Sequence, residues 1–171
     1  MRALILILLL AGCGSFDVYR DTDAPISSKA VFAPARYAGL WHEVARFPVF
    51  FEAGCVGVTA EYGLRDDGTL SVLNICRNAD GSERSRIAGT AEIVGPGRLK
   101  VRFASVPFAA ADYWVLWTDD DYQTAVVGSP NGRAGWVLNR SPEIRSDRLN
   151  AARDVLAFNG YDVSRLMEVS Q

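Results

Sequence analysis

Histidine is almost missing from this chain: His42 is the only one among 171 residues. A zinc site needs three or four His, Cys or carboxylate ligands at suitable spacing, and no such set is legible around it. A catalytic triad is not legible either, because Glu43 is the immediate neighbour and adjacent strand residues point to opposite faces. His42 therefore reads as a partly exposed structural residue. Excess positive charge is also lacking, since 18 Lys and Arg stand against 20 Asp and Glu for a net charge of −2. That balance gives no electrostatic reason to expect a nucleic-acid partner. The three cysteines include no CxxC pair, which argues against a redox-active dithiol. No apolar run reaches the roughly 20 residues that cross a bilayer.

What the N-terminus does contain is a shorter run, "MRALILILLLAGCGS". Arg2 supplies a minimal positive start, and Ala3 to Ala11 are apolar, as in a signal-peptide core covering residues 1–12. Leu10-Ala11-Gly12-Cys13 looks like a bacterial lipobox, in which small residues admit the peptidase and the cysteine sulfur receives a diacylglycerol. An ordinary secretory signal with a chance cysteine is the alternative. Lipidation would make Cys13 the mature N-terminus, carrying two or three acyl chains such as palmitate. At about 0.8 kcal/mol per buried methylene, several chains give stable anchoring. Residue 14 is Gly rather than the Asp that commonly retains such lipoproteins in the inner membrane. The resemblance thus implies an outer-membrane anchor on the periplasmic face. Residues 13–31 are polar and aperiodic and read as a lipidated tether, leaving 32–171 as the globular domain.

Beyond residue 31 the chain is a series of short strand-like segments separated by turn residues. Val56, Val58, Ala60 and Tyr62 alternate with Gly57, Thr59, Glu61 and Gly63, a two-residue period. With Asp66-Asp67-Gly68 as a three-residue loop and Gly68 left-handed, Tyr62 falls opposite Val72 and Ala60 opposite Asn74. Similar segments follow: "RSRIAGTAEIV", "RLKVRFA", "DYWVLWT", "YQTAVVGS" and "AGWVLNR". Counting Leu40 to Arg46 as the first gives eight consecutive strands with short turns, which suggests a sandwich or an up-and-down barrel. Alternation places Trp117 with Tyr113 and Val115. The tail then changes period. Leu149, Ala152, Val155 and Leu156 recur at helical spacing, with Ser146 as N-cap and Asn159-Gly160 as the stop, before "SRLMEV" reads as a short last strand.

Three motifs, in order, make the chain resemble the lipocalin family, specifically its bacterial outer-membrane members and their relative apolipoprotein D. The first is Gly39-Leu40-Trp41 with "EVARFP" after it; the second is Thr118-Asp119 with Asp121-Tyr122; the third is Arg140 ending "GWVLNR". The resemblance covers roughly Phe32 to Gln171. It implies an all-β fold, an eight-stranded antiparallel up-and-down barrel with the C-terminal helix packed outside. It also implies that Arg140 packs across the Trp41 indole at the closed end. Such a pair has its own rationale, because a guanidinium over an indole face contributes about 0.5–2 kcal/mol. Both residues are then structural.

Carrying over the family's calyx positions places Tyr62 and Asn74 on the second and third strands as ligand-binding residues. Phe103 and Tyr113 follow on the fifth and sixth, and Trp136 and Leu138 on the eighth. Large apolar faces with a few polar tips suit an amphiphile; a filled, solid core is the alternative. The resemblance implies a non-enzymatic carrier of fatty acids or lysophospholipids, for lipid storage or transport and envelope maintenance under stress. It calls for no cofactor or metal, and it allows a homodimer. An enzyme acting on a lipid or pigment in the calyx is the competing reading, and it would need Asn74, Glu92 or Arg86 pointing inward. With Cys13 spent on lipid, Cys55 and Cys76 remain as an even pair in an oxidising compartment and suggest a disulfide. The hairpin register puts Cys76 opposite Val58, so bridging needs a break or bulge near Gly54 or Gly57. Two buried free thiols are the alternative.

Overall fold

The computed structural model describes residues 17–106 and 108–171. The signal segment and Cys13 lie outside these described residues. A one-turn helix, α1 (Pro34–Tyr37), leads into β1 (Gly39–Arg46). Seven further strands follow: β2 (Val56–Leu64), β3 (Leu70–Arg77), β4 (Glu83–Gly95), β5 (Arg98–Phe103), β6 (Ala111–Thr118), β7 (Thr124–Gly128) and β8 (Gly135–Asn139). Each pairs antiparallel with the next, and β1 pairs with both β2 and β8, so the sheet closes on itself. This is the expected eight-stranded barrel. The β2–β3 register is as the turn chemistry predicts, Tyr62 opposite Val72 and Ala60 opposite Asn74. Gly68 takes φ +81°, while the Asp67 carboxylate accepts from the Thr69 amide and hydroxyl. A ninth strand, β9 (Met167–Glu168), pairs with Ala45 and Arg46 at the end of β1.

Alternating side chains divide the apolar residues into two cores. The inner one includes Trp41, Tyr62, Leu70, Val72, Leu99, Val101, Val115 and Val127. The outer one lies under helix α2 (Ser146–Phe158), whose Leu149, Ala152 and Leu156 pack with Val44, Val126 and Val137. Ser146 is not the N-cap: Arg145 occupies that position without a capping side chain. Gly160 at φ +83° turns the chain as expected after Asn159.

Two of the register shifts change which residues face inward. In β6 the pairing skips Leu116, from Val115 opposite Val127 to Trp117 opposite Val126. Trp117 therefore joins the outer core instead of siding with Tyr113 and Val115. In β1 the pairing skips Val44, so that Glu43 faces Leu138 and Arg46 faces Trp136. Glu43 and Arg46, three residues apart, then share the inner face.

The segment expected as a tether also differs from Asp17 onward. Tyr19 is only 2 % exposed and stacks on Phe47, which stacks in turn on Tyr161. The Tyr19 amide donates to the Gly132 carbonyl, and the Lys29 amide donates to that of Val115. Arg20 donates to the carbonyls of Asn159 and Pro130. Aromatic stacking and these backbone bonds make residues 17–31 a strap along the barrel. The polar composition of the segment concealed it.

Candidate functional site

One end of the barrel is closed. The Trp41 indole is fully buried and donates to the Tyr37 carbonyl at 2.8 Å. The Arg140 guanidinium covers its face at 3.7 Å and donates to the carbonyls of Arg36, Ala38 and Leu40 at 2.8, 2.9 and 2.7 Å. Gly39 is required beside it, since φ is +100° and an added Cβ would lie 3.2 Å from Arg140 Nη1. The β6–β7 turn completes the floor. Tyr122, at φ 54°, accepts the Ala33 amide on its hydroxyl at 2.9 Å and carries the Arg36 guanidinium over its ring. Within that turn Asp119, more than the exposed Asp121, holds the backbone, accepting the amides of Gln123 and Thr124.

Above this floor the barrel encloses a cavity of about 590 Å³. Tyr62, Asn74, Phe103, Tyr113, Trp136 and Leu138 all line it, so the six carried-over positions come together on one cavity. The barrel is not filled solid. Glu92 and Arg86 do not line it; Glu92 is exposed, and Arg86 pairs with Glu83 on the surface. His42 lies on the outer face of β1, 3.3 Å from the Gln171 side chain, and takes no part. Among the described residues, no group of His, Cys, Asp and Glu could hold a metal ion.

Two polar features of the cavity were not anticipated. The first is a hydroxyl chain in which Tyr62 donates to Tyr113 at 2.8 Å and Tyr113 meets Tyr37 at 2.7 Å. Burial is the main cause that pushes all three phenols above their ordinary range, so they stay neutral. The second is a charged cluster. Arg46 Nη1 donates to Glu43 Oε1 at 2.7 Å, and Arg46 Nε lies 3.7 Å from Glu52 Oε2. That same Glu52 oxygen accepts from the Trp136 indole at 3.3 Å. Glu43, Arg46 and Glu52 are 3 %, 5 % and 8 % exposed. Burial, then the nearby Glu52 charge, push the Glu43 carboxyl up to about 8, against the opposing pull of Arg46. Burial likewise raises Glu52. Glu43 was legible, because it shares parity with inward-facing Trp41. Arg46 needed the Val44 bulge, and Glu52 sits on a short turn (Phe50–Glu52) that folds back over the barrel.

Cys55 and Cys76 form a disulfide, with Cα atoms 5.3 Å apart. The predicted irregularity lies where bridging needs it, between Val56 and Thr59, with Gly57 at φ +71°. The bridge ties the mouth loop to β3, and the Cys55 carbonyl accepts from Arg46 at 3.4 Å.

An up-and-down barrel, floored by a Gly-x-Trp and arginine plug and hollow above it, is a calyx. The family model described as a lipocalin-like domain matches residues 34–171, and the chain belongs to the lipocalin family. It is 36 % identical to the outer membrane lipoprotein Blc of Vibrio cholerae over 178 aligned residues, covering 100 % of this chain and 99 % of that one. Identity to the outer membrane lipoprotein Blc of Escherichia coli K12 is 39 % over 143 residues, covering 82 % and 80 %. Among solved structures, lobster apocrustacyanin A1 superposes with a TM-score of 0.72 at 18 % identity, covering 93 % of each chain.

Proposed function

We propose that this lipocalin is a membrane-anchored carrier of acyl amphiphiles, fatty acids or lysophospholipids, that stores or moves lipid during envelope maintenance under stress. The observation that carries the reading is the hollow calyx. A cavity of about 590 Å³ falls within the roughly 300–1,000 Å³ of small-molecule sites, and its apolar wall with few polar groups matches their usual character. Likeness to outer membrane lipoproteins and the lipobox at Cys13 support an outer-membrane anchor on the periplasmic side. Asp17 and Tyr19 already line the cavity, and four residues from Cys13 reach at most roughly 14 Å. An anchor at Cys13 therefore holds the calyx mouth close to the bilayer, where a lipid could pass in or out. Phe50 and Phe51 are exposed on the adjoining loop.

The test is displacement of a fluorescent fatty-acid probe from the folded chain by fatty acids and lysophospholipids. Displacement is expected; a cavity that takes neither class overturns the reading. Native mass spectrometry of freshly purified protein would identify any co-purified lipid and its occupancy, and would read the oligomeric state directly.

A further inference from the structure

One patch of the calyx wall carries unbalanced charge. Two buried carboxylates, Glu43 and Glu52, face the cavity and share a single guanidinium, Arg46, which is absent from the cavity lining. The Arg46 donors are already committed to Glu43, to the carbonyls of Glu52 and Cys55, and toward the Glu52 carboxylate. The second carboxylate oxygen of Glu43 has no protein partner among the described residues. Other acids near the cavity are spent elsewhere, Asp17 on Arg165 and Asp112 on Lys100. From the facing strands come Tyr62, Tyr113 and Asn74, all uncharged, and the Trp136 indole. Arg133 lines the cavity on the β7–β8 side. Aromatic rings beside an excess carboxylate form the surroundings that attract a desolvated cation.

We infer that the Glu43–Glu52 patch is a headgroup site for a positively charged amphiphile, which binds by displacing the proton that the two carboxylates share. The inference rests on the calyx being a lipid site and assigns which end of the ligand that site selects. Two buried carboxylates held by one guanidinium leave that patch of the wall net negative if both ionise, so the empty patch holds a proton. An alkylammonium or choline-type head supplies the missing positive charge and releases that proton. A free fatty acid offers a second anion to the same patch and is disfavoured once the patch is ionised.

The test compares three probes with one chain length, each below its micelle-forming concentration: hexadecyltrimethylammonium, hexadecanol and palmitate. Binding to the wild-type chain is measured by calorimetry from pH 6 to pH 9 in buffers of differing ionisation enthalpy. The cation is expected to gain up to about tenfold in affinity per pH unit while the patch is protonated, with close to one proton released. Hexadecanol should be insensitive to pH, and palmitate should weaken as pH rises. Hexadecanol binding alongside a cation that is pH-insensitive and releases no proton overturns the headgroup site and leaves the calyx standing. Failure of all three probes overturns the calyx reading itself. Glu52→Gln, which leaves one carboxylate for one guanidinium, should abolish proton release and lower cation affinity at pH 9; full proton release in that variant also overturns the site. Should that variant fail to fold, the wild-type proton count decides alone.

Discussion

Arg140 lies 3.7 Å over the Trp41 ring and ties three chain segments together. Its donors reach the carbonyls of α1 and the start of β1, and its Nε reaches the Tyr122 carbonyl in the β6–β7 turn. Lysine keeps the charge but loses the planar fork. Arg140→Lys is expected to cost about 2 kcal/mol of stability, through carbonyls left without charged donors. Urea denaturation checks this, and a midpoint equal to wild type would show that the plug is ornamental.

Gly39 is coupled to that arginine. Gly39→Ala meets both an unfavourable φ of +100° and a contact of 3.2 Å with Arg140 Nη1. A loss of about 1–3 kcal/mol is expected from the backbone strain. In an Arg140→Ala background the contact disappears while the backbone strain remains, so the two losses should sum to more than the double variant shows. A double-mutant cycle by denaturation measures the difference. Strict additivity would place the cost in the backbone alone.

The sequence pattern revealed what depends on local chemistry. The Asp67-Gly68 turn set the β2–β3 register, and the same register exposed the need for a bulge between Cys55 and Cys76. It failed where one residue's insertion flips the faces beyond it. Skipping Val44 turns Arg46 inward, and skipping Leu116 turns Trp117 outward; neither bulge carries a glycine to announce it. The strap at residues 17–31 was hidden for another reason. Its anchorage comes from long-range contacts, Tyr19 on Phe47 and Arg20 on Asn159, which have no local period. The six calyx positions came from family resemblance, and parity alone would have added Glu43.

The disulfide closes a loop of sequence separation 21, for which chain entropy gives roughly 3 kcal/mol. Cys76→Ser, or reduction, is expected to lower stability by about that amount. It should also loosen the mouth loop that presents Glu52, because the Cys55 carbonyl and Glu52 both contact Arg46. Thermal unfolding with and without reductant checks the first effect. Hydrogen exchange at residues 50–56 checks the second, and unchanged protection there would contradict it.

The buried acids give stability a defined pH dependence. Burial raises both carboxyls above the ordinary 4.5, Glu43 to about 8. Such groups bind protons more tightly folded than unfolded, so the stability they contribute is present below pH 4.5 and is lost as pH rises toward 8. The melting temperature should therefore fall by several degrees across that window. Glu52→Gln removes the neighbouring charge that helps raise Glu43 and should flatten the fall. A wild-type profile that rises from pH 5 to pH 8 would reverse the assignment.

Asn74 combines a stability defect with a place in the cavity. Its Oδ1 is buried with no hydrogen-bond partner among the described residues, and its side chain lines the calyx. Leaving a buried acceptor unmet costs about 1–3 kcal/mol, whereas an apolar group of similar shape carries no such cost. Asn74→Leu is thus expected to stabilise the empty protein by about 1 kcal/mol. If the acceptor is kept for a ligand donor, the same change should weaken lysophosphatidylethanolamine, whose ammonium donates hydrogen bonds, more than hexadecyltrimethylammonium, whose head cannot donate. Differential calorimetry of the empty variant reads the first effect, and paired titrations read the second. A more stable variant that loses equal affinity for both probes would assign Asn74 to the shape of the cavity and remove it from headgroup recognition.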